Sequence, residues 1–494
     1  MLVHGAADRK EPSMACTTIL VGKDASYDGS TMISRNDDSQ SGQYTEKKFV
    51  TVSPEDQPRT YTSVISHCTV ELPENPMRYV AVPNAVKGEG IWAACGVNED
   101  NVAVSATETI TTNTRVLGAD PLVQNGIGEE DIVVLTVPYI HSAREGVFRL
   151  GALLEQYGTY ETNAIAFQDV NEIWWLETIG GHHWMAKRVP DNSYVVMPNQ
   201  LGLDEFDFDD AFGDQKNYIC SKDLREFIAE NHLDLTLNGQ FNPREVFGSH
   251  DDADHVYNTP RAWYILRYLN PNTYKWDGPD ADYTPESDNL PWSLVPEHKV
   301  TVEDIKYLQS SHYQGTPYDP YSELGNDPRR GAYRPIGVNR TSFVHVVQIR
   351  PYIAESHRAI YWLGYGCNVF NALIPLYTNV KTTPDYIANT TGTVTTDNFY
   401  WNNRLIGALC DSHYPKTINH IEHYQEAVHS QGHALIKQFD EKLDQISAEE
   451  ASRICEEANQ AVSDMAQKET SKTLGEVLYT VSNQMKNSYA RSDH

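Results

Sequence analysis

Apolar and polar positions alternate in short runs through the first half of the chain and widen to helical spacing toward its end. Thr17–Gly22, Thr31–Ser34, Ile91–Val97 and Val102–Thr107 are β-rich and bounded by Gly, Asn or Asp, which predicts strands. Asn98-Glu99-Asp100-Asn101 has the composition of a hairpin turn between the last two. A helical pattern covers Glu129–Tyr157, with Arg144, Arg149 and Glu155 on polar faces. A second strand set follows at Ala164–Asp169, Glu172–Thr178, His183–Val189 and Tyr194–Met197, with turns at Gly180-Gly181 and Pro190-Asp191-Asn192. Helical spacing returns at Lys222–His232 and Pro260–Leu269, and strands at Thr341–Arg350, Ala359–Leu363 and Ala372–Tyr377. Asn270–Trp292 and Tyr313–Pro335 are loop-like, rich in Pro and Tyr. The tail, Asn419–Asn487, has few breakers and much Glu, Ala, Gln and Lys, which predicts one or more long amphipathic helices. These form either a layer of the same domain or an oligomerisation or docking element. Strands, then helices, then both again fit a layered α+β sandwich and not an alternating βαβ sheet.

Composition narrows the class. At 494 residues the chain can bury a large core, and 40% hydrophobic with 22% charged residues describes a soluble enzyme. A formal charge of −29 argues against nucleic acid and anionic membrane as partners. No apolar run approaches transmembrane length, and the leader carries Asp8, Arg9, Lys10 and Glu11 where a secretory signal needs an apolar core. Seven widely spaced cysteines without a Cys-x-x-Cys pair fit reduced thiols in a cytoplasm.

One cysteine stands apart. Cys16 opens the first predicted strand after a short polar leader, Met1–Ala15, and Arg35-Asn36-Asp37-Asp38 closes the next. A lone free cysteine is most often a small buried hydrophobe. A thiolate nucleophile, however, needs a nearby cation, which Arg35 on the adjacent strand supplies, and Asp38 is placed to orient that Arg or accept from an α-ammonium. This pattern points to an N-terminal nucleophile: removal of residues 1–15 frees the α-amine of Cys16 to act as base for its own thiol. Met14-Ala15-Cys16 equally allows natural synthesis to begin at Met14.

The segment Cys16-Thr-Thr-Ile-Leu-Val-Gly-Lys-Asp-Ala-Ser-Tyr-Asp-Gly-Ser-Thr-Met-Ile-Ser-Arg-Asn-Asp-Asp38 resembles the opening of the cysteine N-terminal-nucleophile (Ntn) dipeptidases, a family related to the secernins and more distantly to bile salt hydrolases and penicillin V acylases. Val97-Asn98-Glu99, Glu172–Glu177, Gly181–Trp184, Pro198-Asn199-Gln200, Asn258–Ala262 and Ala372–Tyr377 extend the likeness over nearly the whole chain after the leader. The resemblance implies a four-layer αββα sandwich of two antiparallel sheets and hydrolysis of dipeptides through a cysteine acyl-enzyme. It implies a propeptide at 1–15, a catalytic domain at 16–415 and a C-terminal helical extension at 416–494. It assigns Cys16 as nucleophile, Arg35 and Asp38 to the Arg-Asn-x-Asp motif, Asn199 to the oxyanion hole and Arg261 to a second arginine at a helix start. One position departs: Glu108 falls where the distant acylases carry an asparagine, so a carboxylate there is expected to bind the free amine of a dipeptide.

No cofactor or metal is expected. Adjacent His182 and His183 on a strand would face opposite ways. His420 and His423 lack the Glu of a zincin helix, and Gly22-Lys23 lacks the glycine of a P-loop. The expected partners are dipeptide substrates and further copies of the chain. Two other readings stay open: an acylase-type amidohydrolase acting on non-peptide amides, and a catalytically silent, secernin-like interaction protein.

Overall fold

A computed structural model describes residues 15–486 apart from 41, 238 and 324, together with the backbone but not the side chains at 15, 107 and 108. The protein is mixed α+β with two large antiparallel sheets. The seven-stranded sheet runs, edge to edge, Ser293–Leu294, Tyr194–Met197, Ala15–Val21 (β1), Thr31–Asp38 (β2), Thr341–Ile349, Ala359–Tyr365 and Ile374–Tyr377. The eight-stranded sheet runs Tyr218–Cys220, Trp184–Arg188, Ile173–Thr178, Asn163–Gln168, Ala103–Thr109, Ala93–Asn98, Tyr79–Pro83 and Val50–Val52. Hairpin turns join many neighbours, as the Gly, Asn and Asp clusters predict.

Strand alternation explains the core. In Asn163–Gln168, Ala164 and Ala166 join one apolar cluster with Ile19, Ile33 and Val346 of the other sheet, while Ile165 and Phe167 join a second with Val133, Val147 and Leu150. The eight-stranded sheet thus has its two faces covered, one by a sheet and one by the helices Glu129–Thr136 and Ala143–Tyr157. Gly146 and Gly151 bring the second helix so close that an added Cβ would lie 2.2 Å from Phe167 and 2.1 Å from Trp184.

The helix read over Glu129–Tyr157 is broken: Val137–Tyr139 is a 3-10 turn centred on Pro138, whose missing N–H cannot continue the α ladder. The tail forms two antiparallel helices, Tyr414–Leu443 and Ala448–Ser482, packed on the seven-stranded sheet. Asn459 fixes the second to the edge strand, accepting from Tyr377 N at 2.8 Å and donating to Tyr377 O at 3.0 Å. The sequence reading missed the strands between Val50 and Pro83 and the helices Val302–Gln309 and Phe399–Asp411. The former of these helices carries a capping box, Thr301 with Asp304. Among the described residues no helix is long and apolar enough to cross a membrane.

Candidate active site

β1 and β2 pair antiparallel, with Cys16 opposite Asp37 and Thr18 opposite Arg35. Because side chains alternate, Arg35 and Asp37 share the face that carries Cys16. Arg35 Nη2 donates to Cys16 Sγ at 2.7 Å and lies 3.5 Å from Asp37 Oδ1. All three side chains are buried. None of the seven cysteines is in a disulfide. Burial pushes the thiols of Cys95, Cys220, Cys367 and Cys455 up to about 12 and that of Cys410 up to about 11. Cys16 differs from these in having a guanidinium in hydrogen-bond contact with its sulfur, which favours the thiolate.

A second group holds the Cys16 backbone. Its N–H donates to Asn199 Oδ1 at 3.2 Å, and its carbonyl accepts from Arg261 Nη1. Arg261 also donates to Thr17 Oγ1 (2.8 Å), Asn199 Oδ1 (2.8 Å), Asn258 Oδ1 (2.6 Å) and the Tyr257 carbonyl (2.7 Å). Asn258 in turn accepts from Asn199 N and donates to its carbonyl. Asn199 lies two residues beyond the end of the strand Tyr194–Met197, which neighbours β1, and its Nδ2 donates to the Thr109 carbonyl at 3.1 Å. The first turn of the helix Thr259–Leu269 presents Arg261, with Pro260 at a position where no backbone donor is needed. Arg35, Asn199 and Arg261, from three distant segments, therefore converge on one cysteine.

The acidic residues divide by face. Asp37 forms a 2.5 Å ion pair with Lys47. Burial pushes its carboxyl up, but Lys47 and Arg35 together outweigh this and hold it below the usual 3.8. Asp38 lies on the opposite side of β2, where it accepts from Arg334 and from Thr341 Oγ1. The sequence reading paired Arg35 with Asp38. The ion pair instead goes to Asp37, because β2 continues through Asp38 and an odd spacing on a strand reverses the face. His345, the Cα partner of Arg35 across β2, is fully buried between Phe343 and Tyr361. Burial, reinforced by the Arg35 charge, pushes it down to about 3, so it is neutral.

The structure thus brings Cys16, Arg35, Asn199 and Arg261 together and sets Asp38 beside Arg334. The Glu108 side chain lies outside the described residues; its backbone pairs with Ala164 in the strand that ends at Thr109. Sequence reasoning missed Asp37, Lys47, Asn258 and His345 as site neighbours. His182 and His183 precede their strand, and both rings turn to the Asp120 carboxylate, at 3.2 and 2.8 Å.

Comparison with known proteins supplies the family. The profile described as Peptidase family C69 matches residues 15–427, beginning one residue before Cys16. The chain belongs to peptidase family C69. It is similar to the dipeptidase of Bifidobacterium longum (strain NCC 2705), 54% identical over an alignment of 532 positions that covers 97% of this chain and 100% of the relative. It is also similar to the probable dipeptidase A of Streptococcus pyogenes serotype M3, 53% identical over 97% of this chain and 100% of the relative. A third relative, dipeptidase A of Lactobacillus helveticus, is 43% identical over 94% of this chain and 96% of its own length. As a C69 member the protein is a peptide hydrolase, in keeping with the family resemblance read from its opening motif.

Proposed function

We propose that this C69 peptidase is a dipeptidase that works through a cysteine acyl-enzyme, with Cys16 as an N-terminal nucleophile. The observation that carries the reading is the 2.7 Å contact between Arg35 Nη2 and Cys16 Sγ at the start of a central strand. The names of the relatives support the substrate class, and the four-layer αββα Ntn sandwich is the arrangement with which the two faced sheets agree.

In this mechanism, loss of residues 1–15 leaves Cys16 with a free α-amine. The amine takes the thiol proton, the thiolate attacks the scissile carbonyl, and the amine then protonates the departing amino acid. Water hydrolyses the thioester by the reverse proton path. Asn199 stabilises the tetrahedral oxyanion, a role whose loss typically costs about a hundredfold or more in rate. Arg261 positions the Cys16 backbone and the Asn199 amide, Arg35 stabilises the thiolate, and Asp38 closes the same end of the sheet through Arg334. Glu108 binds the substrate's free ammonium. The enzyme acts in a reducing cytoplasm, in keeping with seven cysteines outside any disulfide, as an oligomer of identical chains, with residues 416–494 as a helical extension of the catalytic domain 16–415.

The test is amino-acid release from a panel of dipeptides and N-acyl amino acids. Wild type is expected to cleave dipeptides and spare acylated substrates, and Cys16→Ala to lose at least about a thousandfold in rate. Preferential cleavage of acyl amino acids, or an active Cys16→Ala, sinks the reading. Glu108→Gln is expected to raise KM for dipeptides far more than it slows leader removal; equal effects on both exclude the assigned role.

A further inference from the structure

We propose that the cavity beside Cys16 is a side-chain subsite for a cationic residue of the dipeptide; the proposal rests on the dipeptidase reading above. The cavity has a volume of about 260 Å³ and is bounded by Asp37, Glu46, Lys47, Asn84, Glu89 and Trp92, among others. It adjoins the nucleophile through one lining residue: Asp37 is the cross-strand partner of Cys16 and contacts Arg35, the residue that holds the Cys16 sulfur. Its size suits one amino-acid side chain with its backbone.

The lining selects for positive charge. Of its three carboxylates, Asp37 is neutralised by Lys47 at 2.5 Å, whereas neither Glu46 nor Glu89 has an ion pair among the described residues. Asn84 gives an independent observation. It is 6% exposed, and its Nδ2 donates to Glu89 Oε2 at 2.8 Å. An ionised carboxylate accepts hydrogen bonds and cannot donate, so this contact fixes which way the amide points. Asn84 Oδ1 is then a buried acceptor with no hydrogen-bond partner in the protein. Buried acceptors normally have a donor, and a lysine ammonium or arginine guanidinium supplies donors and charge together. Trp92 offers an aromatic wall against which the aliphatic stem packs and the cation interacts favourably. An acidic side chain would meet Glu46 and Glu89 unscreened, and an apolar one would leave Asn84 Oδ1 without a partner.

The experiment compares kcat/KM for Lys-Ala and Ala-Lys with norleucine-Ala and Ala-norleucine, which keep the stem and lose the ammonium. Wild type is expected to prefer the lysine substrate about tenfold or more in one of the two orders. Glu89→Gln and Asn84→Leu are each expected to cut that preference several-fold, mainly through KM, with Glu89→Asp restoring part of it. Lysine no better than norleucine in both orders overturns the subsite, as does an undiminished preference in both variants. A wild type that cleaves none of the four dipeptides instead overturns the dipeptidase reading, and the subsite falls with it. If neither variant folds, as judged by its melting temperature, the wild-type lysine-to-norleucine ratio still decides.

Discussion

Arg35 is the residue on which the site turns, since it touches the Cys16 sulfur on one side and the Asp37 carboxylate on the other. Arg35→Met removes the cation nearest the thiol, so alkylation of Cys16 by iodoacetamide is expected to shift to higher pH. An unchanged profile would deny Arg35 its role. Lys47→Met leaves Asp37 with one cation in place of two and should cost about 3–5 kcal/mol in denaturant unfolding, as broken buried pairs do. Asp37, with a depressed folded pKa, adds stability that is complete above 3.8 and is lost as pH falls through its lower folded value. His345 acts in another window. Unfolded, it protonates near 6.5; folded, it resists until about 3. Between those values the unfolded chain binds more protons, so stability falls as pH drops, on the order of 1 kcal/mol per unit. His345→Phe should flatten that fall in an unfolding series across pH. The Asp37 contact was legible in principle: two residues from Arg35 on a strand share a face. Ending the predicted strand at Ser34 concealed it. Lys47 was not legible, because a loop brings it in and no local pattern marks its destination.

At the scale of elements, the strands around the site matched their hydrophobic alternation closely. Tyr194–Met197, Thr341–Ile349 and the hairpin turn before Ala103 all lie where the pattern placed them. The misses have physical causes. Val50–Val52, Thr60–Thr62 and Thr69–Glu71 are too short to show a period, and Pro138 interrupts what otherwise reads as one helix. Close helix–sheet packing is likewise invisible without tertiary contacts. Gly151→Ala would drive a methyl into the Trp184 ring and is expected to destabilise by about 1–3 kcal/mol, seen as a lower melting temperature. An unchanged melting temperature would mean that the helix shifts freely on its sheet. Asn459→Leu removes the side chain that satisfies both backbone groups of Tyr377 on the edge strand. The cost should be about 1–3 kcal/mol, and the exposed edge should raise the tendency to aggregate.

Over the whole molecule, an acidic chain of net charge −29 surrounds a nucleophile that two guanidiniums touch, Arg35 at its sulfur and Arg261 at its carbonyl. That local positive charge suits a thiolate and a developing oxyanion. The chain continues through the site's central feature: the Ala15–Cys16 peptide bond lies inside β1, with Ala15 paired to Asp38. An N-terminal nucleophile requires that bond to break. The intact mass of purified wild type, set beside that of Cys16→Ala and read together with dipeptide turnover, tests this directly. The account predicts that active wild type lacks residues 1–15 while Cys16→Ala retains them. Wild type that keeps its leader and still hydrolyses dipeptides at full rate would contradict it, because the α-amine of Cys16 would then be locked in a peptide bond and unable to serve as the base.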